Sequence, residues 1–209
     1  MSTKQRIIET AKTLFNEEGT KNVTTNHVAK ALNISPGNLY YHYKNKEEII
    51  RSVYQNMLDV LADVWKDFET ERLSLKSFKT VVAIYNVLYD YRFFQYEIIS
   101  LLENDEMLKK MYNDNRKIRY RNFEGVINKM IEEKILIPKG CDSCYSLLID
   151  QLWFTGDFWM TYAKSINNQF DDKELQKLLL TQMSLFYRYS TEKGKRLICR
   201  LENLIRREK

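Results

Sequence analysis

The 209-residue sequence has six glycines, two prolines and three cysteines. Each scarcity excludes something. Glycine and proline punctuate turns, so a chain this poor in both favours long helices over hairpins and loops. A small, odd number of cysteines makes no disulfide framework, which points to a reducing, cytoplasmic compartment. No run of eighteen apolar residues occurs, so no membrane span is expected. The N-terminal MSTKQRIIETAKTLF is amphipathic and carries Glu9, and it lacks the apolar stretch and cleavage site of a signal peptide. Histidine is as scarce: His27 and His42 are both in the first fifty residues. No Glu-x-x-His pair and no glycine-rich phosphate loop is present, so a di-iron bundle and a nucleotide loop have no support. The Cys141-Asp-Ser-Cys144 pair has no second pair and no nearby histidine, and reads as the first turn of a helix rather than a zinc or redox site. A Ser-His or Cys-His nucleophile would have to recruit one of the two N-terminal histidines. The chain therefore reads as non-enzymatic, with no metal and no cofactor.

What is present is aromatic and basic: 14 tyrosines, 10 phenylalanines and a net charge of +5. That charge alone does not imply nucleic acid. Its distribution says more. No acidic residue occurs from Gly19 to Lys46, a stretch holding Lys21, Lys30, Lys44 and Lys46. Within it, residues 24–46 (TTNHVAKALNISPGNLYYHYKNK) read as two short helices joined by a tight turn. Thr24 or Thr25 caps the first helix, and Val28, Ala29 and Leu32 give it an apolar face. Asn33 stands where a left-handed residue must end it. Ser35 caps the second helix and Pro36 suits its first turn. Leu39 and Tyr43, flanked by Tyr40, mark its inward side, leaving Gly37, Asn38 and Tyr41 outward and His42 at the edge. Asparagine donates to and accepts from base edges; tyrosine reaches phosphate or stacks on a thymine methyl. Asn45 and Glu48 form a capping box that sets Lys46 in the first turn of the next helix, near the DNA backbone. A compact helix-turn-helix with a local basic excess is the footprint of a DNA reader.

At these residues the sequence resembles the TetR family of bacterial transcriptional regulators. Thr24, Thr25, Val28, Ala29, Leu32, Ile34, Ser35, Leu39, Tyr40, His42, Tyr43, Lys44 and Lys46 follow the family's pattern. Asn33 departs from it, standing where the family usually has glycine. The resemblance implies an all-α protein. An N-terminal three-helix DNA-binding unit, residues 1–50, would be joined by a long helix to a C-terminal helical bundle, residues 51–209, that binds an effector and dimerises. It implies a bacterial, cytoplasmic repressor with three partners: a double-stranded DNA operator, a second copy of itself and a small-molecule effector. The expected DNA-facing set is Thr24, Thr25, Asn26, Ser35, Pro36, Gly37, Asn38, Tyr40, Tyr41, His42 and Lys46. His27 is either a further phosphate contact or a solvated residue.

Elsewhere the apolar spacing predicts helices throughout. The first covers about residues 3–18, with Ile7, Ile8, Ala11, Leu14 and Phe15 inward and Gly19 at its end. A helix over 46–72 spans roughly 40 Å and ties the two bodies together without a flexible linker. Further helices are expected over about 75–89, 94–104, 105–134, 141–165 and 171–192, with a break at Ile137-Pro138-Lys139-Gly140. A basic tail helix follows from Lys193, with seven basic and two acidic residues, and reads as a solvated face or a DNA or partner contact. Asn115, Arg119 and Asn122 interrupt an apolar stripe. With Tyr85, Tyr89, Phe93, Phe94 and Trp153 they either line an effector pocket or fill a core. Arg119 would pair with an acidic ligand or lie over that core. Leu148, Leu152, Thr155 and Trp159 on one helix, with Leu175, Leu179, Gln182 and Phe186 on the next, pair within one chain and, by the resemblance, with a second copy. Apolar contacts suffice to bias a two-state dimer, so the expected effector is hydrophobic or amphipathic. Three functions stand: a repressor released by such an effector, a TetR-like DNA-binding protein without one, and a helical enzyme or carrier.

Overall fold

Each helix of the first fifty residues begins on a side-chain cap. Ser2 Oγ accepts from the Gln5 N–H at 3.2 Å. Thr24 Oγ1 accepts from His27 and Ser35 Oγ from Asn38, both at 3.2 Å. Asn45 Oδ1 accepts from the Glu48 N–H at 2.9 Å while Glu48 Oε2 accepts from the Lys44 N–H at 2.8 Å. These caps satisfy N–H groups that have no partner inside a helix. They start α1 (Thr3–Glu18), α2 (Thr25–Ala31), α3 (Pro36–His42) and α4 (Lys46–Thr70). The ends are set by backbone sign: Gly19 follows α1 at φ 79°, and Asn33 adopts φ 54° after α2, as its place in the turn demands.

The computed structural model describes residues 1–70, 75–140, 145–167 and 170–206, with the backbone alone for 67–70, 75–76 and 167. Cys141 and Cys144 lie outside the described residues. Six more helices follow: α5 (Leu75–Asp90), α6 (Arg92–Asn104), α7 (Glu106–Glu132), α8 (Tyr145–Asn167), α9 (Asp172–Tyr187) and α10 (Glu192–Ile205). Among the described residues none is long and apolar enough to cross a membrane. The chain divides into two compact units: Met1–Asp67 with Val82–Met111, and Phe68–Val81 with Tyr112–Lys209.

The first unit packs α1–α4 with α6 and the adjoining turns. Ile7, Ala11 and Phe15 of α1, Val28 and Ala29 of α2, Leu39 of α3, and Ile49, Val53 and Tyr54 of α4 are buried. Leu14, expected among them, is half-buried. Phe93 and Phe94 of α6 complete this core: Phe93 lies 5.2 Å from the Phe15 ring, and Phe94 stacks on Tyr54 at 4.4 Å. Polar side chains hold α6 at its start. Asn16 donates to the Asp90 carbonyl at 2.8 Å and accepts from the Phe93 N–H at 3.0 Å. At its far end Asp105 caps α7 through the Met107 and Leu108 N–H groups and takes Arg51 of α4 at 2.6 Å.

The second unit is built around Ile127, Leu136, Tyr145, Leu148, Ile149, Leu152 and Tyr189. α7 ends earlier than the sequence spacing suggests, because Lys134 turns at φ 57° before the Ile137-Pro138 break is reached. The released strand-like stretch pairs briefly with the end of α9: Ile137 donates to the Tyr189 carbonyl at 2.9 Å, and this stops α9 at Tyr187. The basic tail is not wholly solvated. Ile198 and Ile205 of α10 are buried, and Gly194 presses so close to Ile135 that a Cβ there would collide with its carbonyl oxygen.

α8 has two apolar faces. Leu148, Ile149, Leu152, Trp153, Met160 and Ala163 are buried, while Leu147, Phe154, Tyr162 and Ile166 are each more than half exposed.

Candidate nucleic-acid interface

α3 is about two turns of helix, pinned by Leu39, which is fully buried, and by Tyr43 just beyond its end. Its other side is open. Ser35, Pro36, Gly37 and Asn38 are exposed, and Tyr41 stands 86 % exposed with its ring 5.2 Å from that of His42. Tyr40, which the sequence reading set both beside the inward residues and in the DNA-facing set, stands at the boundary of the two. One position past Leu39 on a helix is a rotation of about 100°, which carries it to the boundary rather than the core. It is 50 % exposed, and its hydroxyl lies 3.4 Å from that of Thr25 on α2.

Thr24 and Asn26 are exposed on α2 and Thr25 is half-buried. The capping hydroxyls keep a role open. Thr24 and Ser35 each use an oxygen lone pair for the helix start, so each hydroxyl proton is left to donate outward. Around this face Lys21, Lys30 and Lys44 are exposed and form no ion pair among the described residues. The arrangement offers donors and cations to an anionic backbone, and Asn38 and Tyr41 to whatever lies between its strands.

Lys46 is placed differently from the free contact expected of it. It is half-buried, and its ammonium donates to the Thr20 carbonyl at 2.7 Å. Thr20 is itself buried and held by Glu97 of α6, whose carboxylate accepts from its N–H at 3.0 Å and from its hydroxyl. Neither Thr20 nor Glu97 figured in the sequence reading. They are 77 residues apart, and no periodicity within one helix reports such a pair.

The residues expected to line an effector pocket fall into both units. Tyr85, Phe93 and Phe94 belong to the first and are buried; Phe93 and Phe94 fill its core against Phe15 and Tyr54 rather than bounding a space. Tyr89 is exposed with Arg92 4.8 Å over its ring. Asn115, Arg119, Asn122 and Trp153 belong to the second unit. There Arg119 points inward, onto Asp157 at 3.4 Å and over the Trp153 ring at 4.4 Å. Asp157 is 2 % exposed and also accepts from the Tyr112 hydroxyl at 2.7 Å. Burial pushes its carboxyl up, and the Arg119 charge and the Tyr112 hydrogen bond pull it back. The acid that pairs with Arg119 thus comes from the chain itself. A carboxylate in the middle of the apolar α8 was the available sequence signal. A cleft of about 210 Å³ lies elsewhere, lined by Glu133, Ile135, Lys193, Arg196, Leu197 and Arg200.

The residues expected at a dimer interface mostly join α8 to α9 within the chain. Leu148, Leu152 and Leu179 are buried. Gln182 donates to the Leu152 carbonyl and to Thr155 Oγ1, and Trp159 donates to the buried Glu174 at 3.3 Å. Leu175 and Phe186 are half-buried. The spacing of leucines on α8 identified its inward face; the outward face carries larger aromatics at the same period.

A family model described as bacterial regulatory proteins, tetR family, matches residues 7–53, and one described as bacterial transcriptional repressor matches residues 53–198. An HTH-type transcriptional regulator of Staphylococcus aureus strain USA300 is 32 % identical over 117 residues, 56 % of this chain and 57 % of that protein. The chain thus aligns with little more than half the length of that relative. The biofilm operon icaADBC HTH-type negative transcriptional regulator IcaR of Staphylococcus epidermidis is 43 % identical over 60 residues, 29 % of this chain and 32 % of its own. The fold is similar to that of a TetR-family transcriptional regulator from Marinobacter aquaeolei VT8, with a TM-score of 0.87 and 26 % identity over 98 % of this chain and 99 % of the other.

Proposed function

The chain belongs to the tetR family of bacterial regulatory proteins, and from that premise we propose that it is a homodimeric repressor released from its operator by a small hydrophobic or amphipathic effector. One observation carries the DNA half of this reading: the exposed side of α2–α3 presents Thr24, Ser35, Asn38 and Tyr41 within a stretch that has no carboxylate from Gly19 to Lys46. Phosphate contacts by the flanking lysines set register, and Asn38, Tyr41 and His42 read base edges. The N-terminal domain, residues 1–50, carries this surface, and residues 51–209 supply dimerisation and the effector response.

A single reading head grips one half-site weakly, so the function calls for two copies. The outward stripe of α8 supports the dimer: Leu147, Phe154, Phe158, Tyr162 and Ile166 recur at intervals of seven and four, and the Phe154 and Phe158 rings lie 5.6 Å apart. A soluble monomer rarely exposes so many large apolar groups in one line. The partner-facing surface is therefore this stripe, with Tyr187 of α9, rather than the leucines that bind α8 to α9.

The effector half rests on the second unit, where Arg119, Trp153 and Asp157 are the polar and aromatic groups a ligand would meet. Because Arg119 is already paired, the ligand needs no acidic group. That pairing also favours a second reading, a DNA-binding regulator with no small effector, since a satisfied interior needs no ligand to complete it. Selection of bound fragments from random double-stranded DNA tests the proposal. Enrichment of a near-palindromic site supports it, and a chain that enriches nothing refutes it. Ligands found by thermal shift and then added to the bound complex separate the two readings: hits that stabilise the protein without releasing DNA favour the effector-free one.

A further inference from the structure

α6 reaches the reading head at a point that neither the helix-turn-helix pattern nor the dimer stripe accounts for. Glu97 sits at mid-helix. Its carboxylate accepts from both the N–H and the hydroxyl of Thr20 in the α1–α2 turn. The approach is close enough to dictate the residue before it: a Cβ on Gly19 would stand 2.9 Å from Glu97 Oε1, at a backbone angle that already favours glycine. The carbonyl of that same Thr20 takes the ammonium of Lys46 at 2.7 Å. A continuous polar chain therefore runs from α6 through one turn residue to the first residue of α4. Its start is secured independently, since Asn16 fixes the α5–α6 junction through Asp90 and Phe93.

We infer that Glu97 is a positioning residue for DNA binding, which acts by fixing Thr20 and so holding the Lys46 ammonium beside the reading face. An ammonium has three donors. One is spent on Thr20, and two remain for a phosphate. Lysine is among the side chains with most rotamer freedom to lose, so a lysine already held binds an anion at lower entropic cost than one that must be recruited. A carboxylate is suited to the other end: acceptor-only, it grips two donors of a single residue and so fixes both the position and the rotation of that residue's peptide. The inference rests on the reading of residues 24–46 as the DNA surface. It adds that α6, which contributes no residue to that surface, sets its affinity through Lys46.

The test is a double-mutant cycle on the full-length protein, with a fluorescent DNA fragment recovered by selection and binding read by anisotropy at fixed salt. Glu97→Ala weakens binding roughly fivefold, the equivalent of one hydrogen-bonded contact. Glu97→Gln restores most of the loss, because its amide has an acceptor for the Thr20 N–H and its oxygen or NH₂ group meets the Thr20 hydroxyl. In a Lys46→Met background, Glu97→Ala adds no further loss. A merely structural glutamate would give losses that add. Thr20→Val removes the hydroxyl while keeping shape and carbonyl, and serves if Glu97→Ala folds poorly; its smaller loss also vanishes in the Lys46→Met background. Additive losses, or an unchanged affinity in Glu97→Ala, overturn the inference alone. A parent that recovers no DNA fragment overturns the reading of the surface and the inference with it.

Discussion

Replacing Arg119 by methionine isolates the charge pair inside the second unit. Methionine keeps much of the side chain's length and its contact with Trp153 while removing the guanidinium. What remains is Asp157, 2 % exposed, with the Tyr112 hydroxyl as its surviving donor. Stranding one partner of a buried pair costs about 3–5 kcal/mol. The carboxyl has an escape, which is to take up a proton. Holding it neutral costs about 1.36 kcal/mol for each pH unit above an unfolded value near 3.9. That caps the penalty at about 4 kcal/mol at pH 7 and about 1.5 kcal/mol at pH 5. The sign follows from the direction of the shift. Burial raises the Asp157 carboxyl in the folded state, so the folded protein binds more protons than the unfolded chain between the two values. Stability from this group is greatest below the unfolded value and declines as pH rises towards the folded one. Removing Arg119, the largest of the influences that pull the carboxyl down, extends that decline upward. Urea unfolding at pH 5 and pH 7, at one protein concentration, should show Arg119→Met losing less than half as much at pH 5 as at pH 7. Adding Asp157→Leu to Arg119→Met should recover most of the loss at pH 7, because an apolar pair of similar volume needs no charge partner. Equal losses at the two pH values would refute the reasoning and make packing, not charge, the contribution of Arg119.

Three further outcomes are expected. Lys44→Ala should weaken binding to all DNA sequences alike and flatten the salt slope by about one, whereas Asn38→Ala should lose about 1–3 kcal/mol of base discrimination; anisotropy titrations over a salt series with matched and mismatched sites distinguish the two. Phe154→Glu with Tyr162→Glu should yield a folded monomer in sedimentation at micromolar concentration, and a persistent dimer would remove the α8 stripe from the interface. Gly194→Ala should drive its methyl into the Ile135 carbonyl and cost about 1–3 kcal/mol, detected as a lowered thermal midpoint and early proteolytic loss of the α10 tail.

The helix-turn-helix was legible because its signals are local. Thr24, Asn33, Ser35 and Pro36 each act on a backbone within four residues, and the expected caps and left-handed turn are found where those residues stand. Inward faces were legible for the same reason: Ile7, Ala11 and Phe15 need only the helical period. Tyr40 was read both ways, beside the inward residues and among the DNA-facing ones, because its position lies at the boundary of two faces, where a one-residue rotation decides exposure. The outward apolar face of α8 was not separated from its inward one, because a helix apolar on both sides has no period that tells inside from outside. Phe93 and Phe94 read as pocket or core until the rings of Phe15 and Tyr54, from α1 and α4, were seen against them. The link from Lys46 through Thr20 to Glu97 was beyond reach, since chemistry that joins three separate segments leaves no spacing to count.

The separation that hid this cluster also sets an order of events during synthesis. When Asp67 leaves the ribosome, the residues of α1 to α3 and most of α4 have been made, but Phe15 and Tyr54 lack the Phe93 and Phe94 rings and Thr20 has no Glu97 carboxylate to hold it. Their partners arrive with residues 93–105. At about 5–20 residues per second the nascent chain waits on the order of two to eight seconds for them. Throughout that interval the first segment carries its recognition sequence with an open apolar side. A fragment that stops at the end of α4 would be arrested there permanently, holding its helix-turn-helix without the α6 residues that pack and bond to it.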